Sequence, residues 1–414
     1  MKSLVGAGFV AYFAGGCVRD GLLGVEPSDF DVATDATPAE VERLFGRVQM
    51  VGASFGVVLV RREGHTVEVA TFRSDGPYSD FRRPDSVRYA DASQDAHRRD
   101  FTINALFLDP LGSQPVPAQA NAFETPLGRV IDFVGGQSDL TMGLIRAVGD
   151  PDARLREDHL RALRAVRFAA RFSFPVDPST AAAIRRHARD LSGVSRERIG
   201  EELRRMLSHP TRADAFRLLI EWSLAQQVFG FEPADGCTAK VQSALPQTAS
   251  FEVSLAAALI DLGLGDGSET SISGDAFPSG FSLTRSALML SNEEHARLTQ
   301  LLRLRPAIRD QWRTMGVAAK KRAAARGTFS DQMVLCQAET PAAAAQVSSD
   351  VAALTSDGIG IDPPRLLRGD HLIAAGWRPG PTFKNVLEEV FNAQLEGRVA
   401  TFDEARELAN RMRV

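Results

Sequence analysis

The sequence predicts an α+β domain followed by an all-α remainder, on three observations. Residues 1 to about 135 mix short β-like runs with brief helical patterns and many Gly and Pro breaks. From Asp158 onward the apolar spacing becomes helical: Leu160, Leu163 and Val166 form an i, i+3 ridge, and Ile199, Leu203 and Leu207 an i, i+4 ridge. The chain is also long, at 414 residues with 44% hydrophobic content, so one core should give way to about two to four domains.

Taken in order, Leu4 to Ala14 reads as a small helix entering a strand. The β-like runs are Ala11–Ala14, Val57–Val60, Val67–Phe72 and Ala105–Leu108. The segment Gly112 to Gly128 reads as a loop inserted in a hairpin. Two Gly/Ser/Ala-rich patches, residues 262–280 and 340–358, read as loops or linkers between helical subdomains. No internal repeat is visible.

Composition narrows the function classes. Cys17, Cys237 and Cys336 are odd in number and far apart, which argues against a disulfide framework and a C-x-x-C metal site and makes a reducing cytoplasm the expected setting. No apolar run approaches the roughly 20 residues of a membrane span. The net charge of −4 is unevenly spread: Arg146 to Arg217 holds sixteen arginines against ten acids, hence +6, leaving about −10 elsewhere. That stretch is either a solvated helical surface or a contact for an anionic partner. With only five lysines in the chain, codon bias contributes to the arginine richness.

Four motifs carry chemistry. AYFAGGCVRD runs from a strand through Gly15 and Gly16 into a helix with Arg19 and Asp20; the glycines allow a phosphate near the backbone, and the helix N-terminus with Arg19 favours an anion. Alone, a Gly-Gly pair is more often only a turn. In SDFDVAT, Asp29 and Asp31 are two residues apart, so strand alternation puts both carboxylates on one face, within reach of divalent cations. Two metals about 3.5–4 Å apart can activate a hydroxyl and neutralise a leaving pyrophosphate. Glu68, in TVEVATFR, has the context of a neighbouring strand and completes the acidic set, or else points outward.

HRRDFTINAL supplies Arg98, Arg99, Asp100 and Asn104. Guanidinium forks suit a triphosphate, while the structural alternative pairs Arg99 with Asp100 or another acid. REDHLRALRAVRF steps Asp158, Arg161, Arg164 and Arg167 three residues apart along a helix. Together a carboxylate and guanidiniums can read the pairing edge of a base. In the alternative, Glu157 and Asp158 only favour the helix's first turn and the arginines are solvated.

The ordered set GGCVRD, DFDVAT, RRDFTINA, DFVGGQSDL, GLIRAVGDP, REDHLRALRAVRFAARF and SRERIGEEL resembles the class II CCA-adding enzymes (tRNA nucleotidyltransferases) and the bacterial poly(A) polymerases. The likeness is dense from residue 11 to about 207 and looser in LLRGDHLIAAGWRPGP and AQLEGRVATFDEA. It implies a polymerase β-like nucleotidyltransferase head (1–135), a helical neck for base selection (136–207), a helical body (208–310) and a tRNA-binding tail (311–414). By motif, Asp29 and Asp31 hold Mg2+, Glu68 joins them in catalysis, and Gly15, Gly16, Arg19, Arg99, Asp158, Arg161, Arg164 and Arg167 bind the incoming CTP or ATP. The implied acceptor is the 3′ end and acceptor arm of tRNA, with no membrane involved.

Departures from the family pattern are visible too. SLAAALIDLG resembles the start of a metal-dependent phosphohydrolase domain, but Ile260 replaces its histidine, so Asp261 lacks a partner ligand. The stretch before the first strand is shorter than the family's leading helix, and PGPTFKNVL departs from the usual GP-x-x-G. MVGASFGVVLV lacks the basic insertion of poly(A) polymerases, and Arg73 to Asp95, with DFRRP, keeps the loop that CC-only relatives lack. Full CCA addition is the leading expectation. Terminal-A addition or poly(A) synthesis are the alternatives within the class; a catalytically inactive RNA-binding protein is the alternative outside it, and intact Asp29 and Asp31 count against that.

Overall fold

The computed structural model describes residues 1–414 except 47, 51–55, 63, 77–85, 265–278, 379 and 414. DFRRP (80–84), residues 51–55 of MVGASFGVVLV, most of the 262–280 patch and Pro379 of PGPTFKNVL therefore lie outside the described residues. The chain divides into two compact units, Met1–Glu232 with Ser286–Met289, and Pro233–Arg285 with Leu290–Val414. The expected head and neck fall together in the first.

Its strands are β1 (Ala11–Ala14), β2 (Asp31–Thr34), β3 (Val48–Met50), β4 (Val57–Arg62), β5 (His65–Thr71), β6 (Arg73–Asp75), β7 (Val87–Tyr89), β8 (Phe107–Asp109), β9 (Asn121–Thr125) and β10 (Gly128–Asp132). Eight of these form one sheet in the order β3-β4-β5-β2-β1-β8-β10-β9. Within it β2 and β5 run parallel, and the other neighbours run antiparallel. The loop expected over 112–128 is partly wrong: Asn121–Thr125 forms edge strand β9 on β10, because Asn-Ala-Phe-Glu-Thr can complete a hairpin without burying any residue.

Alternation splits this sheet's side chains into two cores. Val32, Val58 and Val69 pack under Leu4 and Val41, on the face covered by α1 (Lys2–Gly6) and α3 (Pro38–Phe45), while α2 (Gly16–Leu22) follows β1 directly. Tyr12, Ala33, Phe72, Phe107 and Ile131 pack on the other face with Ala92 and Ala96 of α4 (Ala92–His97). The helices that follow are α5 (Gly136–Met142), α6 (Pro151–Glu157), α7 (Arg161–Phe172), α8 (Pro178–Arg186), α9 (Arg196–Leu207), α10 (Arg212–Glu221) and α11 (Ala225–Phe229). Both expected apolar ridges are buried: Leu163, Val166, Ile199, Leu203 and Leu207 are fully enclosed and Leu160 nearly so.

Two family motifs turn out to be joints. The Asp132 carboxylate accepts from the backbone N–H groups of Val134, Gly135, Gly136 and Gln137 at 2.9–3.0 Å and so opens α5. At Gly136 an added Cβ would stand 2.2 Å from the Thr102 carbonyl, so only glycine lets this joint close on the RRDFTINA turn. Asp150 caps α6 in the same way, with Pro151 at its first position.

The second unit is helical: α12 (Lys240–Ala244), α13 (Phe251–Asp261), then, after α14 (Ser279–Ala287), α15 (Asn292–Pro306), α16 (Val317–Ala324), α17 (Phe329–Glu339), α18 (Pro341–Thr355), α19 (Gly369–Ala374), α20 (Pro381–Leu395) and α21 (Phe402–Arg411). Helix α18 corrects the linker expected at 340–358. Alanine, its commonest residue, is the best helix former, and Pro341 sits at the first position, where its missing N–H does no harm. Among the described residues no helix is long and apolar enough to cross a membrane.

Candidate active site

A cleft of about 720 Å³ opens in the first unit, and all the expected site residues line it. Its acidic wall comes from the sheet. Parallel pairing sets Asp31 of β2 beside Glu68 of β5, so both side chains leave on the same face. Asp29 lies in the loop before β2, since the strand begins only at Asp31. The shared-strand expectation therefore fails at Asp29, although both aspartates line the cleft; Phe30, between them, packs against Phe13 with ring centres 5.5 Å apart.

Burial, then the charges of Glu68 and Asp29, push the Asp31 carboxyl up to about 6. Burial and Asp29 raise Glu68 as well. Three acids that repel one another in a partly desolvated wall are a site short of positive charge. Among the described residues no three His, Cys, Asp or Glu side chains form a ready-made metal cage. An open set of one or two carboxylates facing water and substrate phosphates suits Mg2+, which keeps much of its hydration; the donors present therefore fit that ion.

The glycine turn meets the arginines directly. Gly15 has φ +73°, and a Cβ there would lie 2.9 Å from Arg99 Nη1. Arg99 is paired with Asp95 at 3.0 Å, and Arg98 with the same carboxylate at 2.6 Å. The expected structural pairing of Arg99 is therefore to Asp95 and not Asp100. Asp100 takes Arg164 instead, at 2.6 Å. Although burial opposes ionisation, Arg164 and Asn104 hold the Asp100 carboxyl down at about 2.

Arg19 is buried and occupied. It donates to Asp20 at 2.7 Å and to the Asn104 side chain, and its guanidinium lies 5.0 and 4.8 Å from the Phe168 and Phe172 ring centres. Asn104 donates in turn to Asp100 at 3.1 Å, so the first and third motifs share one network with Arg164 of α7. Helix α2 has only seven residues, and Gly15 and Gly16 contribute their close approach to the cleft rather than a long helix dipole.

The regular three-residue step holds for Arg161, Arg164 and Arg167, which lie on α7. Asp158 is not on that helix. Helix α6 ends at Glu157, and Asp158 is extended, with φ −148° and ψ 102°; Glu157 thus ends one helix and does not begin the next. The Asp158 carboxylate accepts from Leu160 N–H at 3.1 Å, a local bond that competes with helix and sets the break. Arg161 clamps the junction, reaching Glu157 at 2.7 Å and the carbonyls of Arg154 and Arg98 at 2.8 and 3.1 Å. Arg167 pairs with the buried Glu202 at 2.6 Å.

The structure adds residues that sequence reasoning gave no role: Asp95 under Arg98 and Arg99, Arg198 on Asp158 at 2.7 Å, Glu202, Arg171 and Arg205. Arg198 and Glu202 lie inside SRERIGEEL, so the motif itself was the available signal.

Comparison with known proteins matches these features. The family model described as "Poly A polymerase head domain" matches residues 11–146, and "Probable RNA and SrmB-binding site of polymerase A" matches 173–233. The CCA-adding enzyme of Bacillus subtilis (strain 168) is 40% identical over 232 residues, 56% of this chain and 54% of that one. That of Geobacillus thermodenitrificans is 42% identical over 224 residues, covering 54% and 52%. The match thus spans about half the length of these curated relatives. The structure of the Bacillus stearothermophilus CCA-adding enzyme in complex with CTP superposes with a TM-score of 0.75 at 27% identity, over 99% of this chain and 95% of that one. The Thermotoga maritima CCA-adding enzyme complexed with tRNA shares the fold, with a TM-score of 0.68 at 19% identity over 99% and 93%. With these motifs in one cleft, residues 11–146 match the poly A polymerase head-domain model, and the chain is similar to CCA-adding enzymes over about half of their length in sequence and over 95% of one solved relative in fold.

Proposed function

We propose that the chain is a tRNA nucleotidyltransferase that adds CCA to the 3′ end of tRNA from CTP and ATP, releasing pyrophosphate. The observation that carries this is the two-walled cleft. Asp31 and Glu68 stand in register on the sheet, and a protein side chain, Asp158, lines the same cavity beside the arginines of α7. Base choice then needs no template strand.

In this reading Asp29 and Asp31 hold Mg2+, Glu68 completes the acidic set, and two ions are used. Bound magnesium supplies charge neutralisation at the leaving pyrophosphate and activates the attacking 3′ hydroxyl. The chain's own residues do the rest. Arg98 and Arg99, both anchored on Asp95, offer guanidinium donors to the triphosphate. Asp100 and Asn104 fix Arg164 and Arg19 across the cleft floor, and Gly15 and Gly16 leave room for the nucleotide. Asp158 accepts from the exocyclic amino group that cytosine and adenine share, and Arg161 donates beside it. Head 1–135, neck 136–207, body 208–310 and tail 311–414 are the corresponding functional divisions, with tRNA gripped through the tail, and the setting is the cytoplasm.

Purified protein incubated with Mg2+, labelled CTP or ATP, and tRNAs ending before CCA, after C and after CC tests this. Extension of all three acceptors to CCA is expected. Extension of the CC-ended tRNA alone would make it a terminal-A enzyme, runs of A a poly(A) polymerase, and no addition would overturn the reading.

A further inference from the structure

Beside the cleft, on the far half of α7, lies a smaller cavity of about 130 Å³. Its polar lining is Arg167, Arg171, Arg205, His209 and Thr211, with no acid among the lining residues. Arg167, Arg171 and Arg205 also line the cleft, so the two spaces adjoin.

The charge there is incompletely neutralised. Glu202 serves two guanidiniums at once, Arg167 at 2.6 Å and Arg205 at 3.2 Å. Arg171 reaches Asp20 at 3.2 Å, a carboxylate already holding Arg19. Arg205 is largely exposed, and the bond to Glu202 occupies one of its nitrogens, Nη1.

His209 adds a neutral donor. Its Nδ1 lies 3.3 Å from the Thr211 backbone nitrogen and 2.8 Å from Thr211 Oγ1. A backbone N–H can only donate, so Nδ1 accepts and the neutral ring carries its proton on Nε2. Burial, then the charges of Arg171 and Arg212, hold this imidazole below its ordinary value. Guanidinium donors with an uncharged N–H, and no carboxylate among the lining residues, make a receptor for a phosphate oxyanion.

We propose that this pocket seats a backbone phosphodiester of the RNA strand being extended, held by Arg205 and Arg171 and by the Nε2–H of His209. This rests on the RNA-extending function above. A diester suits the site better than a triphosphate: the triphosphate donors Arg98 and Arg99 line only the cleft, and a neutral imidazole matches a single negative charge.

The experiment is the salt dependence of binding by full-length protein to tRNA lacking CCA, with Kd for CTP measured separately without RNA. Arg205→Gln should weaken RNA binding about tenfold and reduce the log–log salt slope by roughly 0.7 to 1. His209→Phe should weaken RNA binding with the slope unchanged, because a neutral donor releases no counterion, and His209→Gln, which keeps an N–H near the Nε2 position, should restore much of it. CTP affinity should not move. Thermal unfolding of each variant guards against a fold defect, and Arg205 is exposed enough to be replaced without touching a core. An unchanged slope in Arg205→Gln, or a loss confined to CTP, would overturn the assignment, the latter by placing the triphosphate there. Failure of the wild-type chain to extend any tRNA would instead remove the functional reading on which it rests.

Discussion

Arg198 grips Asp158 with both ends of its fork, 3.1 Å from Nη1 to Oδ1 and 2.7 Å from Nη2 to Oδ2. Leu160 N–H already holds Oδ1 of this carboxylate; the two-point pair adds a second anchor and fixes the direction its remaining lone pairs face. Asp158→Ala should therefore relax base choice, with UTP and GTP use rising roughly tenfold or more relative to CTP and ATP. Arg198→Ala should do the same more weakly, and the double variant should be no worse than Asp158→Ala alone, since both act through one contact. Competition assays with all four nucleotides decide this. If Asp158→Ala lowers only the unfolding temperature, the residue is merely an anchor for the turn.

Asp31 stands in a wall of like charge, so under the proposed metal-holding role function and metal-free stability should pull in opposite directions. Asp29→Ala and Asp31→Ala should each retain less than about a tenth of the nucleotide addition. Asp31→Asn, which removes one repelling charge while keeping the shape, should melt higher than wild type without divalent ions. Magnesium should raise the wild-type melting temperature and leave that of Asp31→Asn nearly unchanged. Equal stabilisation of both by magnesium would place the ion elsewhere.

The Asp100–Arg164 pair predicts the shape of the acid limb. Asp100 is held at about 2 in the folded chain, below its unfolded value, so its contribution is fully present above about pH 4 and disappears as the pH falls toward 2. The size is about 2 kcal/mol. Denaturant unfolding of wild type and Asp100→Asn should differ by that amount at pH 6 and converge near pH 2. A gap that persists unchanged into acid would mean that the carboxylate's charge is not what stabilises this joint.

In the second unit Asp261 caps a helix. Its two oxygens accept from the backbone N–H groups of Val241 and Gln242, each at 2.9 Å, and the neighbouring Ile260 is buried in the core. Metal-stimulated hydrolysis of 2′,3′-cyclic phosphates should be undetectable, and Asp261→Ala should cost about 0.5–2 kcal/mol of stability. Detection of such hydrolysis, lost in Asp261→Ala, would reverse this reading.

Sequence alone determined what is local in its causes. Strand β1 over Ala11–Ala14 and the buried ridges of α7 and α9 follow from spacing, because a period of two or of about 3.6 decides which side chains can share a core. The residues of the cleft were legible from the ordered set of motifs and the family it resembles, since each motif alone admits a structural reading. Tertiary structure decided how they are joined. Asp31 meets Glu68 only because β2 and β5 pair in parallel, and Asp100 is taken by Arg164 from 64 residues away, a partner that no local spacing rule supplies. The same holds at Asp158. Its step of three residues to Arg161 reads as one continuous helix, but a side-chain bond to Leu160 N–H and an arginine forty residues away break that helix and aim the carboxylate. Local propensity cannot see a partner supplied by another helix, and there the fold rather than the sequence pattern sets the site.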